Sequence, residues 1–147
     1  MGYKLEIITE KADSRLPQFA SEECQQLISI YEHYYPKIGF KIPWVGYFIV
    51  QENEVVGSCS FTGKPNSNKV ELTYWTFKKH EGQGVSSFAC QELIKIAKDT
   101  DPKLIITAKT APGYNAATKI LEKNNFLLTQ MVQDDNIGDS WLWILDK

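Results

Sequence analysis

One stretch of the sequence, residues 70–98, constrains the fold more than any other. Residues 70–77 are rich in β-branched and aromatic side chains, which predicts a β-strand. From residue 85 onward, apolar residues recur at helical spacing. The polar segment between them contains Gly82 and Gly84, which let the backbone approach a ligand closely. Because the first N–H groups of a helix lack internal partners and favour negative charge, this strand–loop–helix unit suits a phosphate or pyrophosphate.

The rest of the chain predicts one α+β domain. A length of 147 residues suits a single domain with one core. We expect Ser21 to cap a first helix that Pro36 ends. Further elements are expected as strands at residues 3–9, 44–51, 55–61, 104–108, 126–132 and 140–145, and as a helix at residues 115–123 with Ala117, Ile120 and Leu121 inward. This order predicts a mixed sheet. Its strand 70–77 is apolar on both faces, so we expect both faces to be covered.

Charge and composition narrow the classes of function. The net charge of −2 provides no general attraction for nucleic acid or anionic membranes, so we expect neither as a partner. The sequence contains no apolar run near the roughly 20 residues that cross a bilayer, and residues 1–15 lack the apolar core of a signal peptide. Cys24, Cys59 and Cys90 are widely spaced in apolar surroundings, which favours buried, reduced thiols over disulfides or a metal site. We expect a cytoplasmic protein, as a monomer or a homodimer.

Two familiar phosphate-binding loops do not fit the glycine segment. A Walker A loop ends in Gly-Lys-Ser/Thr, whereas this one ends in Gly-Val-Ser, which excludes that class. A dinucleotide-binding loop has a third glycine where Ser87 stands, and an acidic residue at the end of the next strand, where this chain has Thr107-Ala108-Lys109. Spacing alone therefore favours a ligand loop and an ordinary strand-to-helix turn about equally.

Two segments of the sequence resemble family motifs. Residues 71–75, Glu-Leu-Thr-Tyr-Trp, and residues 81–86, Glu-Gly-Gln-Gly-Val-Ser, resemble the "ELGYW" strand and "YWGKGYA" loop of the GCN5-related N-acetyltransferase (GNAT) family. The match is best with its RimJ/RimL-like branch, which acetylates ribosomal-protein N-termini. Residues 115–126 resemble the family's "N-x-x-S … L-E-K-x-G-F" segment. The resemblance implies a single GNAT-like domain over residues 1–147, with a mixed, mostly antiparallel sheet of about seven strands, flanked by helices and splayed between the fourth and fifth strands.

The sequence departs from the family pattern at three positions. The broader signature Gln/Arg-x-x-Gly-x-Gly/Ala falls on Glu81, Gly84 and Ser86, so an acidic residue replaces the usual Gln or Arg, and a serine replaces the final Gly or Ala. A carboxylate near a pyrophosphate is mildly unfavourable, and matters less where backbone N–H groups make the contacts. Asn125 replaces the glycine of the second motif, and Asn also adopts the left-handed conformation needed there.

The resemblance implies acetyl-CoA as the co-substrate and assigns residues to it. In the family the pantetheine arm pairs with the fourth strand like an added strand, a role that would fall on Tyr74, Trp75 and Thr76. The pyrophosphate would lie on backbone N–H groups of Gly82, Gln83, Gly84, Val85, Ser86 and Ser87. Asn115 corresponds to a residue that bonds the pantetheine amide; Asn also suits a helix N-cap, and the two roles are compatible.

Acetyl transfer to an amine needs a base, an oxyanion donor and a proton for the departing thiolate. Glu71 corresponds to the candidate base, direct or through water, and the alternative for it is a solvated strand end or a structural ion pair. Thr118 stands where the N-terminal acetyltransferase branch has a Ser that protonates the thiolate, although a helix Thr is more often structural. Tyr114 is a substitute for the Tyr that many relatives have at the position of Glu122.

The acceptor is expected to be a primary amine, of a protein N-terminus or a small molecule. Acidic side chains that could attract it, or be merely solvated, are Glu32, Asp134, Asp135 and Asp139. Aromatic side chains that could line its cleft, or form core, are Tyr31, Tyr34, Tyr35, Phe40 and Trp44. The sequence thus predicts an acetyl-CoA-dependent N-acetyltransferase. A non-catalytic acyl-CoA-binding domain is the first alternative, and a nucleotide-binding regulatory domain is a more distant one.

Overall fold

The computed structural model describes residues 2–134 and 138–146, which form one seven-stranded sheet with three α-helices. In chain order the elements are β1 (Lys4–Ile7), α1 (Glu22–Ile38), β2 (Gly46–Gln51), β3 (Glu54–Phe61), β4 (Lys69–Thr76), α2 (Val85–Thr100), β5 (Ile105–Thr110), α3 (Ala116–Lys123), β6 (Phe126–Asp134) and β7 (Gly138–Leu145). The strand order is β1-β2-β3-β4-β5-β7-β6. Only β4 and β5 pair in parallel, and the other neighbours are antiparallel. The predicted mixed, mostly antiparallel α+β sheet is confirmed.

The parallel pair separates after three residues. β4 and β5 pair from Lys69↔Ile105 to Glu71↔Thr107, and the pairing ends there. The rest of β4 continues along β3, with partners from Leu72↔Phe61 to Thr76↔Gly57. β5 turns away toward β7. This separation, called the fork below, is the predicted splay between the fourth and fifth strands, and it leaves one edge of β4 open.

The first helix begins as predicted and ends later. Ser21 caps it, because its hydroxyl accepts a hydrogen bond of 3.1 Å from the Cys24 N–H. The expectation that Pro36 ends this helix is wrong, since α1 continues to Ile38. Pro36 has no N–H to bond the carbonyl of Glu32, and the helix tolerates this loss because Glu32 is exposed, where water can bond the carbonyl instead. Gly39 ends the helix instead, with φ of +88° and an N–H that bonds to Tyr35 O at 2.7 Å.

The two faces of β4 are covered unequally. On one face Leu72 is buried, and α2 packs against β3 and β4. On the other face Thr73 is exposed and Trp75 is 40% exposed. The prediction that both faces are covered is therefore wrong for the end of β4. α1 lies over β2 instead, where a Cβ on Gly46 would approach the Tyr31 ring to 2.5 Å.

The core contains the thiols that the sequence predicts to be buried. Cys24, Cys59 and Cys90 are free and at most 1% exposed. Burial raises the pKa of the Cys90 thiol to about 12, and it raises that of Cys59 as well. These thiols are protonated at neutral pH and pack as small apolar side chains. None of the helices in the described residues has the length and apolar character of a membrane span.

Candidate functional site

A cleft of about 650 Å³ opens at the fork, between the glycine segment and α3. We call it the loop cleft. Eight of the ten residues that the sequence assigns to the cofactor lie along it: Tyr74, Trp75, Thr76, Gly82, Gly84, Val85, Ser86 and Ser87. Gln83 and Asn115 do not line it. The Gln83 carbonyl faces the other way, where it accepts a hydrogen bond of 3.2 Å from the Tyr3 hydroxyl.

The two glycines of this cleft are required by their backbone conformation. Gly82 has φ of +79° and Gly84 has φ of +85°, both in the left-handed region that other residues enter at a cost. A Cβ built on either would meet no described atom within 4 Å, so crowding is not the reason for glycine. Left-handed residues next to a helix start turn successive N–H groups toward one side, which is the geometry of an anion-binding nest.

The helix that begins at this loop differs from the other two helices. Side-chain oxygens of Ser21 and Asn115 cap α1 and α3. The N-cap of α2 is Gly84, and no side chain of the described residues makes a capping hydrogen bond there. The first N–H groups of α2 belong to Val85, Ser86 and Ser87, all of which line the loop cleft. This helix start is therefore available to an anion.

Along the open edge of β4, alternate residues direct their backbone groups into the cleft. The Glu71 carbonyl and the Phe77 N–H bond toward β3, at 2.9 and 3.0 Å. Because backbone direction alternates along a strand, Trp75 also faces β3, whereas Tyr74 and Thr76 direct their N–H and C=O groups toward the fork. Two of the three predicted β4 residues thus offer unpaired ladder groups, and Trp75 does not.

The far wall of the loop cleft is a face of α3 that the sequence does not predict. Ala116, Ala117, Lys119, Ile120 and Lys123 line it. The expectation that Ala117 points inward is wrong: it is exposed, and its carbonyl accepts a hydrogen bond of 3.2 Å from the Tyr74 hydroxyl. The spacing of the two lysines, i and i+4, is the signal that places them on one face. They bring positive charge opposite the start of α2, where Glu81 contributes negative charge.

A charged cluster stands at the last β4–β5 pair. The Lys109 Nζ lies 3.2 Å from Glu71 Oε1 and 3.2 Å from Asp134 Oδ2. Burial acts to lower the pKa of Lys109, but the hydrogen bond that Lys109 donates to Asp134 and the charge of Glu71 outweigh it, and the pKa is raised. Burial raises the pKa of Tyr34, and the charges of Glu71 and Asp134 raise it further. The two carboxylates and the lysine therefore carry a net charge of −1 beside the Tyr34 phenol.

A second cleft, of about 670 Å³, lies on the face of the sheet that Glu71 occupies. We call it the lysine cleft. The end of α1, the β3–β4 connection and strands β4, β5 and β7 line it. Lys64 and Lys69 stand at its rim, while Glu71, Thr107 and Lys109 form its end at the fork. The fork thus has a cleft on each side.

The family follows from comparison with known proteins. A family model described as the acetyltransferase (GNAT) domain matches residues 8–127. The chain belongs to this family. It is a GNAT acetyltransferase domain, with the strand order, fork and glycine loop described above. Curated protein sequences give no significant match.

Solved structures resemble this acetyltransferase domain in fold. An N-acetyltransferase from Staphylococcus aureus Mu50 is 16% identical, with a TM-score of 0.68 over 99% of each chain. Campylobacter jejuni PseH, solved with acetyl coenzyme A, is 15% identical, with a TM-score of 0.69 over 99% of each chain. RimL, a ribosomal α-N-protein acetyltransferase solved with coenzyme A, is 18% identical, with a TM-score of 0.62 over 88% of this chain and 76% of its own. At identities this low, the similarity shows only that the folds are alike.

Two predicted site residues of the acetyltransferase form a helix cap. Asn115 Oδ1 accepts from the Thr118 N–H at 3.2 Å, and the Thr118 hydroxyl accepts from the Asn115 N–H at 2.8 Å. That hydroxyl also donates to the Asn115 carbonyl at 3.0 Å, and Thr118 is 1% exposed. The hydroxyl is thus engaged in the capping box, which is the structural alternative for both residues. Tyr114, just before the cap, is 71% exposed and packs edge-on against Trp141 at 4.9 Å.

The predicted acceptor residues are divided between core and surface. Tyr31, Tyr35 and Trp44 are at most 7% exposed, so they are core, and Tyr34 and Phe40 are half-buried. Asp134 joins Lys109, whereas Glu32 and Asp139 are exposed, and Asp135 lies outside the described residues. Within residues 2–134 and 138–146, no three His, Cys, Asp or Glu side chains could hold a metal ion.

Proposed function

We propose that this domain is an acetyl-CoA-dependent N-acetyltransferase that moves the acetyl group directly to a primary amine. One observation carries the proposal: the loop cleft joins an open β4 edge to a helix start that no described side chain caps. An extended pantetheine arm needs an open strand edge, and a pyrophosphate needs a helix start with free N–H groups. Membership of the GNAT family and the coenzyme complexes of PseH and RimL support the choice of ligand.

In this proposal the cofactor spans the loop cleft from α2 to the fork. Tyr74 and Thr76 supply backbone groups to the pantetheine amides, and the N–H groups of residues 82–87 hold the pyrophosphate. Lys119 and Lys123 offset the charge that Glu81 places near the phosphates. The Ser86 and Thr76 hydroxyls bond to each other, which ties the helix start to the strand edge.

The reaction then takes place where the strands separate. The amine nitrogen forms a bond to the thioester carbonyl carbon, a β4 N–H stabilises the oxyanion, and the carbon–sulfur bond breaks as CoA leaves. We propose Glu71 as the base that removes the amine proton, direct or through water. Lys109 pairs with both Glu71 and Asp134, so its single positive charge does not neutralise both carboxylates, and Glu71 can still attract an incoming ammonium.

The departing thiolate needs a proton donor, and Tyr114 is our first candidate. Its exposed side chain stands beside the start of α3. Thr118 is the second candidate, but it would have to give up its bond to the Asn115 carbonyl in order to donate. Asn115 Oδ1 is engaged in the cap, which leaves its amide group for the pantetheine.

The acceptor could be a protein N-terminus, as for the ribosomal-protein acetyltransferase RimL, or a small amine. We propose a primary amine in either case. The alternative function is a non-catalytic acyl-CoA-binding domain. An observation that favours this alternative is the ion pair of Glu71, because Lys109 Nζ, at 3.2 Å, occupies one of the two carboxylate oxygens that could accept the amine proton.

Calorimetric titration with acetyl-CoA, with NADH and ATP as controls, tests the cofactor. Saturable binding of acetyl-CoA alone is the expected result. Release of CoA thiol in the presence of primary amines then tests transfer. Binding without release for any amine would favour the acyl-CoA-binding domain, and absence of binding would exclude both functions.

A further inference from the structure

The charges of the lysine cleft are distributed unevenly. The cation of Lys109 is compensated by two carboxylates, each at 3.2 Å. Lys64 and Lys69 are exposed at the rim, and neither makes an ion pair within the part of the chain that the structure describes. The cleft therefore has uncompensated positive charge at its rim and negative character, from Glu71, at its end.

The distance between these two ends is fixed by β4. Lys69 and Glu71 are two residues apart on one strand, so their side chains share a face and start about 7 Å apart. Half-buried apolar side chains of Ile38, Leu142 and Ile144 line the space beside them. A ligand that suits this cleft has a cationic end, a short apolar middle and an anionic end.

The segment that carries the lysines is held in place. Its turn is closed by two hydrogen bonds between Asn66 and Lys69, at 2.9 and 3.0 Å. The Asn68 side chain donates to the Lys103 carbonyl at 3.0 Å, which ties the turn to the entry of β5. At the other end, a Cβ on Gly63 would lie 3.5 Å from Ile38 Cβ, so the segment lies against α1. Since the backbone is already ordered, binding an anion costs little backbone entropy.

The acidic side chains near this cleft do not favour a polycation. Glu71 and Asp134 share the Lys109 cation, and Glu71 is the one carboxylate that lines the cleft within the described residues, so the cleft offers a single acidic group. We propose that the acceptor is a primary amine that also carries an anionic group, with its amine at Glu71 and its anion at Lys64 and Lys69. This inference rests on the proposed acetyl transfer, and it names the acceptor class.

Three small primary amines of similar length test the acceptor class: aminopentanoate, pentylamine and diaminopentane, whose far ends are a carboxylate, a methyl group and a second ammonium. We expect kcat/KM for aminopentanoate to exceed that for pentylamine about 5- to 10-fold, as for two solvent-exposed charge pairs acting together, and diaminopentane, counted per amine, to be poorest. The double variant Lys64→Gln/Lys69→Gln should bring the ratio of aminopentanoate to pentylamine close to one. Lys64→Glu/Lys69→Glu should reverse the ranking of aminopentanoate and diaminopentane.

The control is Lys95→Gln, an exposed lysine of α2 outside both clefts, which should keep the wild-type ratio. Equal kcat/KM for the three amines, or a ratio that survives in the Lys64→Gln/Lys69→Gln variant, overturns the inference and leaves the proposed acetyl transfer intact. Acetylation of none of the three, pentylamine included, counts against both proposals.

Discussion

The two clefts beside the fork are built from different parts of the chain. The loop cleft takes most of its lining from the stretch 74–87 and the rest from α3, and the binding groups of that stretch are backbone N–H and C=O groups at a strand edge and a helix start. The lysine cleft is formed by side chains from α1, the β3–β4 connection and three strands. A site built from the backbone of one segment can be predicted from a local sequence motif. A site like the lysine cleft exists only after folding brings distant side chains together.

The largest expected effect comes from the residue between the clefts. Glu71→Gln keeps the shape of the side chain and removes its charge and basicity. If Glu71 is the base, turnover should fall by about 10² to 10⁴ while the acetyl-CoA affinity measured by calorimetry is unchanged. Glu10→Gln, at an exposed position outside both clefts, is the control. Wild-type turnover of Glu71→Gln across the pH range would assign Glu71 to the ion pair with Lys109 alone.

The second largest expected effect on turnover comes from Tyr114, the proposed proton donor. Tyr114→Phe removes one hydroxyl and keeps the ring contact with Trp141. We expect turnover to fall by about 10²-fold, the low end for a general acid, with unchanged acetyl-CoA affinity. Acceptors with a more basic amine should not restore the turnover of Tyr114→Phe, because the missing hydroxyl supplies its proton to the CoA thiolate and not to the amine. Unchanged turnover in Tyr114→Phe together with a large loss in Thr118→Val would transfer the role to Thr118.

The lysine cleft also depends on a buried tyrosine that holds α1 on the sheet. The Tyr35 hydroxyl donates to the Ile8 carbonyl at 2.6 Å and accepts from the Gly46 N–H at 3.1 Å. Tyr35→Phe leaves both groups without this partner and should lower the free energy of unfolding by about 1 to 3 kcal/mol. Acetyl-CoA affinity should not change. Chemical denaturation and calorimetry measure the two quantities, and a loss confined to affinity would contradict the separation of the clefts.

The same hydroxyl predicts a pH dependence. Burial raises the pKa of Tyr35 to about 12, against the opposing effect of the Gly46 N–H. Because the folded pKa lies above the unfolded value of about 10, the contribution to stability is complete below pH 10 and is lost as the pH rises through 12. Tyr35→Phe should therefore lose less stability than the wild type over this interval. Parallel curves for the two proteins would contradict this.

Two glycine variants distinguish an effect on acetyl-CoA binding from an effect on stability. Gly84→Ala and Gly39→Ala each place a Cβ in open space at a positive φ, +85° and +88°. Gly84→Ala should cost roughly 1 to 2 kcal/mol of stability for its left-handed backbone, and Gly39→Ala, with ψ of 159°, should cost at least as much because that conformation is nearly exclusive to glycine. Only Gly84→Ala should also weaken acetyl-CoA binding, by about 10-fold, since it disturbs the N–H groups at the start of α2. Equal affinity in the two variants would show that the loop does not hold the phosphates.

What the sequence predicts well is local. Ser21 and Asn115 cap their helices, and Asn125 adopts φ of +69°, because each depends on a few neighbouring residues. The strand–loop–helix unit is of the same kind, and its periodicity changes from two to 3.6 within one short stretch. The RimJ/RimL-like branch stays a prediction, since the family model identifies only the GNAT domain.

What the sequence does not predict depends on packing between segments. Apolar periodicity indicates one face of α3 but does not show whether the sheet or a cleft lies opposite, so the sequence predicts the wrong side for Ala117. The pairing of Glu71 with Lys109 needs the register of two parallel strands, which are 38 positions apart at these residues, and register is not readable from one chain. The position of Lys64 and Lys69 at the rim of the lysine cleft likewise depends on how distant segments pack, and it cannot be predicted from the sequence.

Lys119 is one of the α3 residues of the loop cleft that the sequence does not predict, and its substitution should give the smallest effect. Its charge faces the helix start across the cleft, so Lys119→Ala should weaken acetyl-CoA binding about 3-fold, the range of an exposed charge pair. The loss should shrink as salt rises, because screening weakens the same interaction in the wild type. Lys95→Ala, on the outer side of α2, should bind as the wild type does. If both variants lose the same affinity, the effect is one of net charge, and the α3 wall has no part in holding the phosphates.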